Sequence, residues 1–202
     1  MAMKTGDNPV QQTLKKVRSC DYCRDHLPHG VRPVLQLSAN SKILIVGQAP
    51  GSKVHETGIP FDDPSGDRLR AWMGVTKVDF YNAEKIAILP MGFCYPGRGK
   101  SGDLPPREEC AKLWRHELMG LMPSIELTLI VGQYAIAWHL SHAKQDTLTA
   151  TVKRWREHWP NKLAIPHPSP RNNIWLKKNA WFETDVVPAL QQRVVSILST
   201  HS

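Results

Sequence analysis

The 202-residue sequence has no apolar run that approaches the roughly 20 residues needed to cross a bilayer. Residues 1–9 are polar and contain no apolar core of a secretory signal. We therefore expect a cytoplasmic protein without a membrane partner. The sequence also has no internal repeat, low-complexity tract or interdomain linker, so residues 1–202 are expected to form one domain.

Cysteine is scarce, with four residues in the chain. In a reducing compartment, these four are expected as metal ligands or buried thiols rather than disulfides. Acidic residues are also in the minority, with 18 Asp and Glu against 26 Lys and Arg, and the formal net charge is +8. Such a surplus favours an anionic partner, because phosphates neutralised by basic side chains release counterions. A basic, soluble surface without such a partner would have the same composition.

Short apolar runs alternate with amphipathic segments along the chain. The hydrophobic pattern predicts strands at residues 42–46, 86–89, 127–131 and 163–165. It predicts helices at 10–18, 66–74, 107–122, 134–142, 148–158 and 174–198, the last interrupted near Pro188, and loops at 47–66 and 92–106. This alternation predicts an α/β fold, with a central four-stranded parallel sheet flanked by helices on both faces.

Two turns at the ends of predicted strands carry the strongest chemical signal. Residues 47–51 (Gly-Gln-Ala-Pro-Gly) follow the first strand, and their glycines allow a ligand to approach the backbone closely. Residues 167–172 (His-Pro-Ser-Pro-Arg-Asn) follow the fourth strand, where prolines hold one histidine rigidly beside groups that can donate to phosphates. Because ligands bind beyond the carboxyl ends of parallel strands, the two turns are predicted to face each other across a ligand-binding cavity.

Together with residues 57–61 (Thr-Gly-Ile-Pro-Phe), these turns resemble the signature segments of uracil-DNA glycosylases. The first turn is similar to that of the family 4 enzymes, and the second to that of the single-strand-selective monofunctional uracil glycosylases. The resemblance spans Cys20 to about Trp181. It implies a uracil-DNA glycosylase-like fold, and a monomer that hydrolyses the N-glycosidic bond of uracil or another deaminated base in DNA.

The resemblance also implies a role for each signature segment. His167 would donate a hydrogen bond to the base as negative charge develops on it, and Phe61 would stack on the extruded base. The implied base-binding residues are Gly47, Gln48, Ala49, Pro50, Gly51, Phe61 and His167. The implied DNA contacts are Ser169 with a phosphate, and Pro170, Arg171 and Asn172 with the minor groove and the gap left by the base.

Two positions depart from the family 4 pattern. Gln48 replaces a Glu that handles the attacking water, and an amide can orient water but cannot take its proton. Asp62 and Asp63 are the candidates for the missing charge, or else they cap the following helix, with Asp63 as the catalytic candidate. Pro90 replaces an Asn that reads the uracil edge. These departures leave open a second hypothesis for the function, an inactive relative that binds DNA and senses damage. A third hypothesis is a metal-stapled α/β protein with a small-molecule pocket.

The cysteines form two pairs. Two residues separate Cys20 from Cys23 near the N-terminus, and fifteen separate Cys94 from Cys110. Four thiolates from two distant segments can close one tetrahedral site and fasten the N-terminal arm, residues 1–40, to the core. The resemblance to family 4 implies a [4Fe–4S] cluster. Zinc would accept the same ligands, and four unrelated reduced thiols are the remaining alternative.

Overall fold

The computed structural model describes residues 8–143 and 147–199, so the ends of the predicted domain and residues 144–146 lie outside the described residues. The strands are β1 (Ile43–Val46), β2 (Ile86–Ile88), β3 (Arg98–Gly99), β4 (Gly102–Asp103), β5 (Leu127–Val131) and β6 (Lys162–Ile165). A parallel sheet has the strand order β2–β1–β5–β6, and β3 and β4 form a separate antiparallel hairpin. The predicted parallel sheet is confirmed, and each of its strands lies within one residue of its predicted bounds.

Helices connect and cover these strands. They are α1 (Pro9–Arg18), α2 (Ser52–Thr57), α3 (Pro64–Met73), α4 (Lys77–Phe80), α5 (Glu108–Cys110), α6 (His116–Gly120), α7 (Gly132–His139), α8 (Leu148–Lys153), α9 (Asn173–Lys178) and α10 (Val187–Ser199). Turns of π-helix join α5 to α6 at Ala111–Arg115 and precede α10 at Phe182–Val186. Among the described residues, no helix is both long and apolar enough to span a membrane.

Successive side chains of each central strand face opposite layers of helices, as the two-residue period of a strand requires. In β1, Ile43 and Ile45 pack into the layer that contains α3 and α10. Leu44 and Val46 pack into the opposite layer, which contains α1, α6 and α7. Helices therefore cover both faces of the sheet, and the predicted fold class is confirmed.

The N-terminal arm contacts the sheet through two kinds of interaction. Val10, Leu14 and Val17 of α1 are buried in the second layer, on the predicted face of that helix. Further along, Gln36 exchanges both backbone hydrogen bonds with Ile88 of β2, over 2.9 and 2.7 Å. The arm is thus connected to the core by apolar packing and by a backbone bridge at the sheet edge.

Two details of the helix prediction were wrong. The segment 47–66, predicted as a loop, contains α2 and the start of α3; α2 has a single buried residue, Val54, so it leaves no apolar periodicity in the sequence. The last helix is not interrupted at Pro188. The break falls at Asn179, whose side-chain amide donates to the carbonyl of Trp175 over 2.9 Å. The π turn Phe182–Val186 ends two residues before Pro188, a residue that lacks an N–H donor, and the chain stays helical through Pro188.

Candidate active site

The carboxyl ends of β1 and β6 open onto one cavity of about 340 Å³, within the usual range for small-molecule sites. Gln48, from the turn after β1, and His167, from the turn after β6, both line this cavity. The other residues predicted to bind the base also line it: Gly47, Ala49, Pro50, Gly51 and Phe61. The structure therefore brings the two signature turns together around one cavity, as the sheet topology requires.

The backbone of the first turn is bound to the segment that follows β2. The carbonyl of Gly47 accepts from the N–H of Met91, and the carbonyl of Gln48 accepts from Gly92, both over 2.9 Å. The side-chain amide of Gln48 donates in turn to the carbonyl of Leu104, over 3.1 Å, just after the β3–β4 hairpin. The side chain of Gln48, which the sequence predicts to act on the attacking water, thus connects the first turn to the β3–β4 hairpin.

Phe61 has a left-handed backbone conformation, with a φ of +54°, which is uncommon for a residue other than glycine. Its carbonyl oxygen accepts a hydrogen bond from Arg70 over 3.3 Å. The same oxygen lies 1.8 Å from the position that a Cβ on Gly66 would take. The Phe61 ring packs edge-on against Phe80 and approaches Gly47, where a Cβ would lie 3.4 Å from Cζ. Surrounding contacts thus hold a strained residue with its ring at the cavity wall.

His167 is held by two hydrogen bonds within its own turn. Its Nδ1 accepts from the backbone N–H of Ser169 over 3.2 Å, and its carbonyl accepts from Nδ2 of Asn172 over 2.7 Å. Burial lowers the pKa of His167, and the carboxylates of Asp63 and Asp103 oppose that effect. The ring is therefore neutral at pH 7, and with Nδ1 accepting, the proton lies on Nε2.

Arg68 of α3 holds the second turn from outside. Its guanidinium donates to the carbonyl of Ser169 over 3.1 Å and to Oδ1 of Asn173 over 2.8 Å. The hydroxyl of Ser169 accepts from the N–H of Arg171 over 3.2 Å, so its polar groups are partly used within the turn. Pro170 and Arg171 are exposed at its tip. Arg68 was missed because nothing in a helical sequence indicates which distant turn an arginine will contact.

Two carboxylates line the cavity besides these turns. Asp63, a predicted candidate, caps α3 by accepting the N–H of Gly66 at Oδ1 over 2.9 Å, so the capping alternative is observed. Asp103, at the end of β4, was not predicted. Its hairpin lies in a Gly/Pro/Arg-rich segment predicted as a loop, because strands of two residues leave no recognisable pattern.

Below the cavity, a buried arginine holds the backbone at Pro90, a residue that lines the cavity. Arg115 is 1% exposed and donates to the carbonyls of Leu89, over 3.2 Å, and of Pro90. Its Nη1 also lies 3.3 Å from Nε2 of His139. Burial lowers the pKa of Arg115 to about 10 and that of His139 to about 3, so at pH 7 the guanidinium is charged and the imidazole is neutral.

A family model described as the uracil DNA glycosylase superfamily matches residues 35–191 of this chain. The match covers more than half of the sequence and includes both signature turns. The chain belongs to the uracil-DNA glycosylase superfamily. Membership supports a DNA glycosylase type of function in general, with DNA as the partner. The matched range contains Cys94 and Cys110 but begins after Cys20 and Cys23.

In this superfamily member, all four cysteines line a second, apolar cavity as free thiols: Cys20, Cys23, Cys94 and Cys110. Burial raises the pKa of Cys94 to about 11 and that of Cys110 to about 12. Such thiols stay protonated unless a bound cation stabilises their thiolates, as metal coordination does. Within residues 8–143 and 147–199, no group of three or more His, Cys, Asp or Glu side chains has the geometry of a metal-ion site.

Two polar groups at the cysteine cavity suit anionic sulfur. Burial and the nearby carboxylate of Glu109 raise the pKa of Cys23, while Arg107, which lines the cavity, acts in the opposite direction. Trp114 also lines it, and its indole Nε1 is buried without a hydrogen-bond partner in the described part of the chain. Buried donors normally find an acceptor. The four thiols around one cavity therefore supply donors of the type that a thiolate-ligated metal group needs, although their spacing in the described residues is not that of a closed metal site.

Proposed function

We propose that this chain is a monofunctional glycosylase that hydrolyses the N-glycosidic bond of uracil or another deaminated base in DNA. One observation carries the proposal: a neutral, rigidly held His167 and the ring of Phe61 line one cavity between the two signature turns. Enzymes of this class must extrude the target base into such a pocket before they can reach its glycosidic bond. The protein is proposed to act as a monomer.

Cleavage of the glycosidic bond develops positive charge on the sugar and negative charge on the departing base. His167 is proposed to donate from Nε2 to a base carbonyl, where a fixed hydrogen bond stabilises the developing anion. Phe61 would stack on the base, since its backbone is held at the cavity wall. Pro90 offers no side-chain donor, so recognition of the base edge would fall to backbone groups around the cavity.

The turn at Ser169 is proposed to contact the DNA backbone and minor groove. Pro170 and Arg171 are exposed at its tip, and Arg171 lines the cavity as well. A side chain in this position can occupy the space that an extruded base leaves. The net charge of +8 favours such a complex, with an affinity that falls as salt concentration rises.

The cysteine cavity is proposed to hold a [4Fe–4S] cluster ligated by all four thiolates, with zinc as the alternative occupant. The group would supply a covalent cross-link between the N-terminal arm and the core, without a part in hydrolysis. Arg107 would offset part of the thiolate charge, and Trp114 would donate to sulfur. The four thiols come from segments far apart in sequence, so a group bound to all of them would join those segments.

Gln48 favours a second candidate function, a non-catalytic damage sensor. Its amide nitrogen donates to the carbonyl of Leu104, and its oxygen can orient a water but cannot take the proton from it. Such a protein would keep the cavity and bind DNA at an extruded base without cleaving the glycosidic bond.

The experiment that separates the two functions uses single-stranded and duplex DNA with one uracil, hypoxanthine or xanthine. After incubation with protein and treatment with alkali, strand cleavage at the lesion supports the glycosylase. Lesion-dependent binding without cleavage supports the sensor. Absence of any salt-dependent DNA affinity contradicts both, and would favour a small-molecule pocket instead.

A further inference from the structure

Hydrolysis at the sugar carbon needs a group that can accept a proton from the attacking water and stabilise positive charge on the sugar. The turn after β1 offers no such group, because Gln48 is an amide whose nitrogen already donates to Leu104. Two other acidic residues, Asp63 and Asp103, line the cavity. The inference that follows rests on the proposed glycosylase function and concerns which of them acts.

Asp63 is committed to the structure of α3. Its Oδ1 accepts the N–H of Gly66, and Gly66 is the residue packed against the carbonyl of Phe61. An N-cap of this kind contributes about 1 kcal/mol to helix stability. Asp63 therefore has a structural function that accounts for its presence, and one of its two oxygens is occupied.

Asp103 has no comparable structural hydrogen bond in the described residues. Among the described residues, none donates a hydrogen bond to its carboxylate, although the residue lines the cavity and also the adjoining recess between the two turns. Its Oδ2 lies 3.5 Å from the position of a Cβ on Gly51, so the carboxylate faces the first turn. Asp103 also lies within electrostatic range of His167. Its exposure leaves it open to water from solvent.

The hairpin that carries Asp103 is held from two sides. The backbone of Asp103 lies in register with that of Arg98 across β3 and β4, and the next residue, Leu104, donates its N–H to the carbonyl of Gly97 over 2.9 Å. The carbonyl of Leu104 is the group that accepts from Gln48. A glutamate at position 48 could not donate there, so the amide suits a function of holding the hairpin against the turn.

We propose that Asp103 is a catalytic residue that activates the attacking water, while Gln48 positions its hairpin. The water oxygen forms a bond to the sugar C1′ as the C1′–N bond breaks, and the electron pair of that bond leaves on the base. Asp103 accepts a proton from the water and releases it to solvent. The base anion, stabilised by His167, takes up a proton from solvent. The products are an abasic sugar and the free base, and the net reactant is one water.

The test measures single-turnover excision of whichever base the wild-type protein removes, together with DNA affinity and melting temperature. Asp103→Asn should slow excision by about 100-fold or more, as expected for loss of a general base. DNA affinity should stay within about twofold and the melting temperature should not change, because the side chain is exposed and unpaired. Glu108→Gln is the control, since it removes one negative charge from a side chain that is 82% exposed and outside the cavity.

A second variant separates chemistry from structure. Asp103→Ala should be equally slow, and added formate or azide should restore part of its excision rate, which no loss of packing would allow. Excision by Asp103→Asn within twofold of wild type, or a slow Asp103→Ala that neither anion rescues, overturns the assignment of Asp103 alone. Failure of the wild-type protein to release any base overturns the proposed function, and this inference with it.

Discussion

The backbone N–H of Ser169 donates to Nδ1 of His167 over 3.2 Å, and this single bond determines which nitrogen of the ring carries the proton. A neutral imidazole with Nδ1 as acceptor has its N–H at Nε2. Burial keeps the pKa of the ring below its ordinary value, so the neutral form prevails at physiological pH. The turn thus presents a fixed, uncharged donor at the cavity.

The first prediction concerns His167 as a hydrogen-bond donor. His167→Ala should lower the single-turnover excision rate by about 100-fold to 1,000-fold, the usual effect of losing a donor to a developing anion. DNA affinity should change little, since His167 lines the cavity rather than the exposed tip of the turn. His142→Ala, at an exposed histidine, is the control and should have the wild-type rate.

The second prediction concerns the protonation state of His167. Because its pKa is lowered, the ring is already neutral at and above the ordinary histidine value of about 6.5. Between pH 6.5 and 8, the excision rates of wild type and of His167→Gln should therefore have the same dependence on pH. A wild-type rate that rises steeply as the pH falls through this range, and does so only with His167 present, would mean that imidazolium is the active form.

The third prediction concerns Gly66, where a Cβ would lie 1.8 Å from the carbonyl oxygen of Phe61. Gly66→Ala must displace Phe61 or the start of α3, and should lower the free energy of unfolding by about 1–3 kcal/mol, as overpacking does. Excision should fall as well, because the Phe61 ring moves. Gly120→Ala is the matched control in urea unfolding. Nothing lies within 4 Å of its added Cβ, so stability should be unchanged or rise by up to about 1 kcal/mol. Equal stabilities of the two variants would contradict this account.

The fourth prediction concerns acid stability and His139, whose pKa burial lowers to about 3. The unfolded state, with a pKa near 6.5, binds a proton that the folded state does not. The contribution of neutral His139 to stability is therefore complete above about pH 6.5 and is lost as the pH falls toward 3. His139→Gln, whose amide oxygen can still accept from Arg115, should lose less melting temperature between pH 7 and 5 than wild type does. Parallel pH curves for the two proteins would show that His139 is not responsible.

The fifth prediction concerns the cysteine cavity. Protein purified without oxygen should be brown and contain iron and inorganic sulfide in equal amounts. Cys94→Ala should lose the visible absorbance and lower the melting temperature, because the arm is no longer cross-linked to the core. Trp114→Phe, which removes one N–H donor but no ligand, should keep the absorbance. Colourless protein with stoichiometric zinc would replace the iron assignment, and metal-free wild type of full stability would remove the metal altogether.

Much of this protein was predictable from local sequence. Each central strand is a short apolar run that is buried on both faces, so residues 127–131 are recognisable without any knowledge of their neighbours. The two signature turns follow such runs, and parallel strands place their carboxyl ends at one edge. The common cavity at Gln48 and His167 is therefore a consequence of sequence order and of parallel pairing.

Other features depend on contacts between residues far apart in the chain, which no local pattern encodes. Arg68 and Ser169 are 101 positions apart, and Arg115 and Pro90 are 25 apart. The sequence predicts that Gln48 acts on the attacking water, yet its side-chain amide donates a hydrogen bond to the carbonyl of Leu104, 56 positions away. Asp103 reads as a loop residue, yet its hairpin brings it to the cavity. The sequence by itself determined the sheet, the turns and the chemical types at its edge. Tertiary packing alone decided which carboxylate remains unpaired there, because each hydrogen bond formed elsewhere removes a polar group from the chemistry of the site.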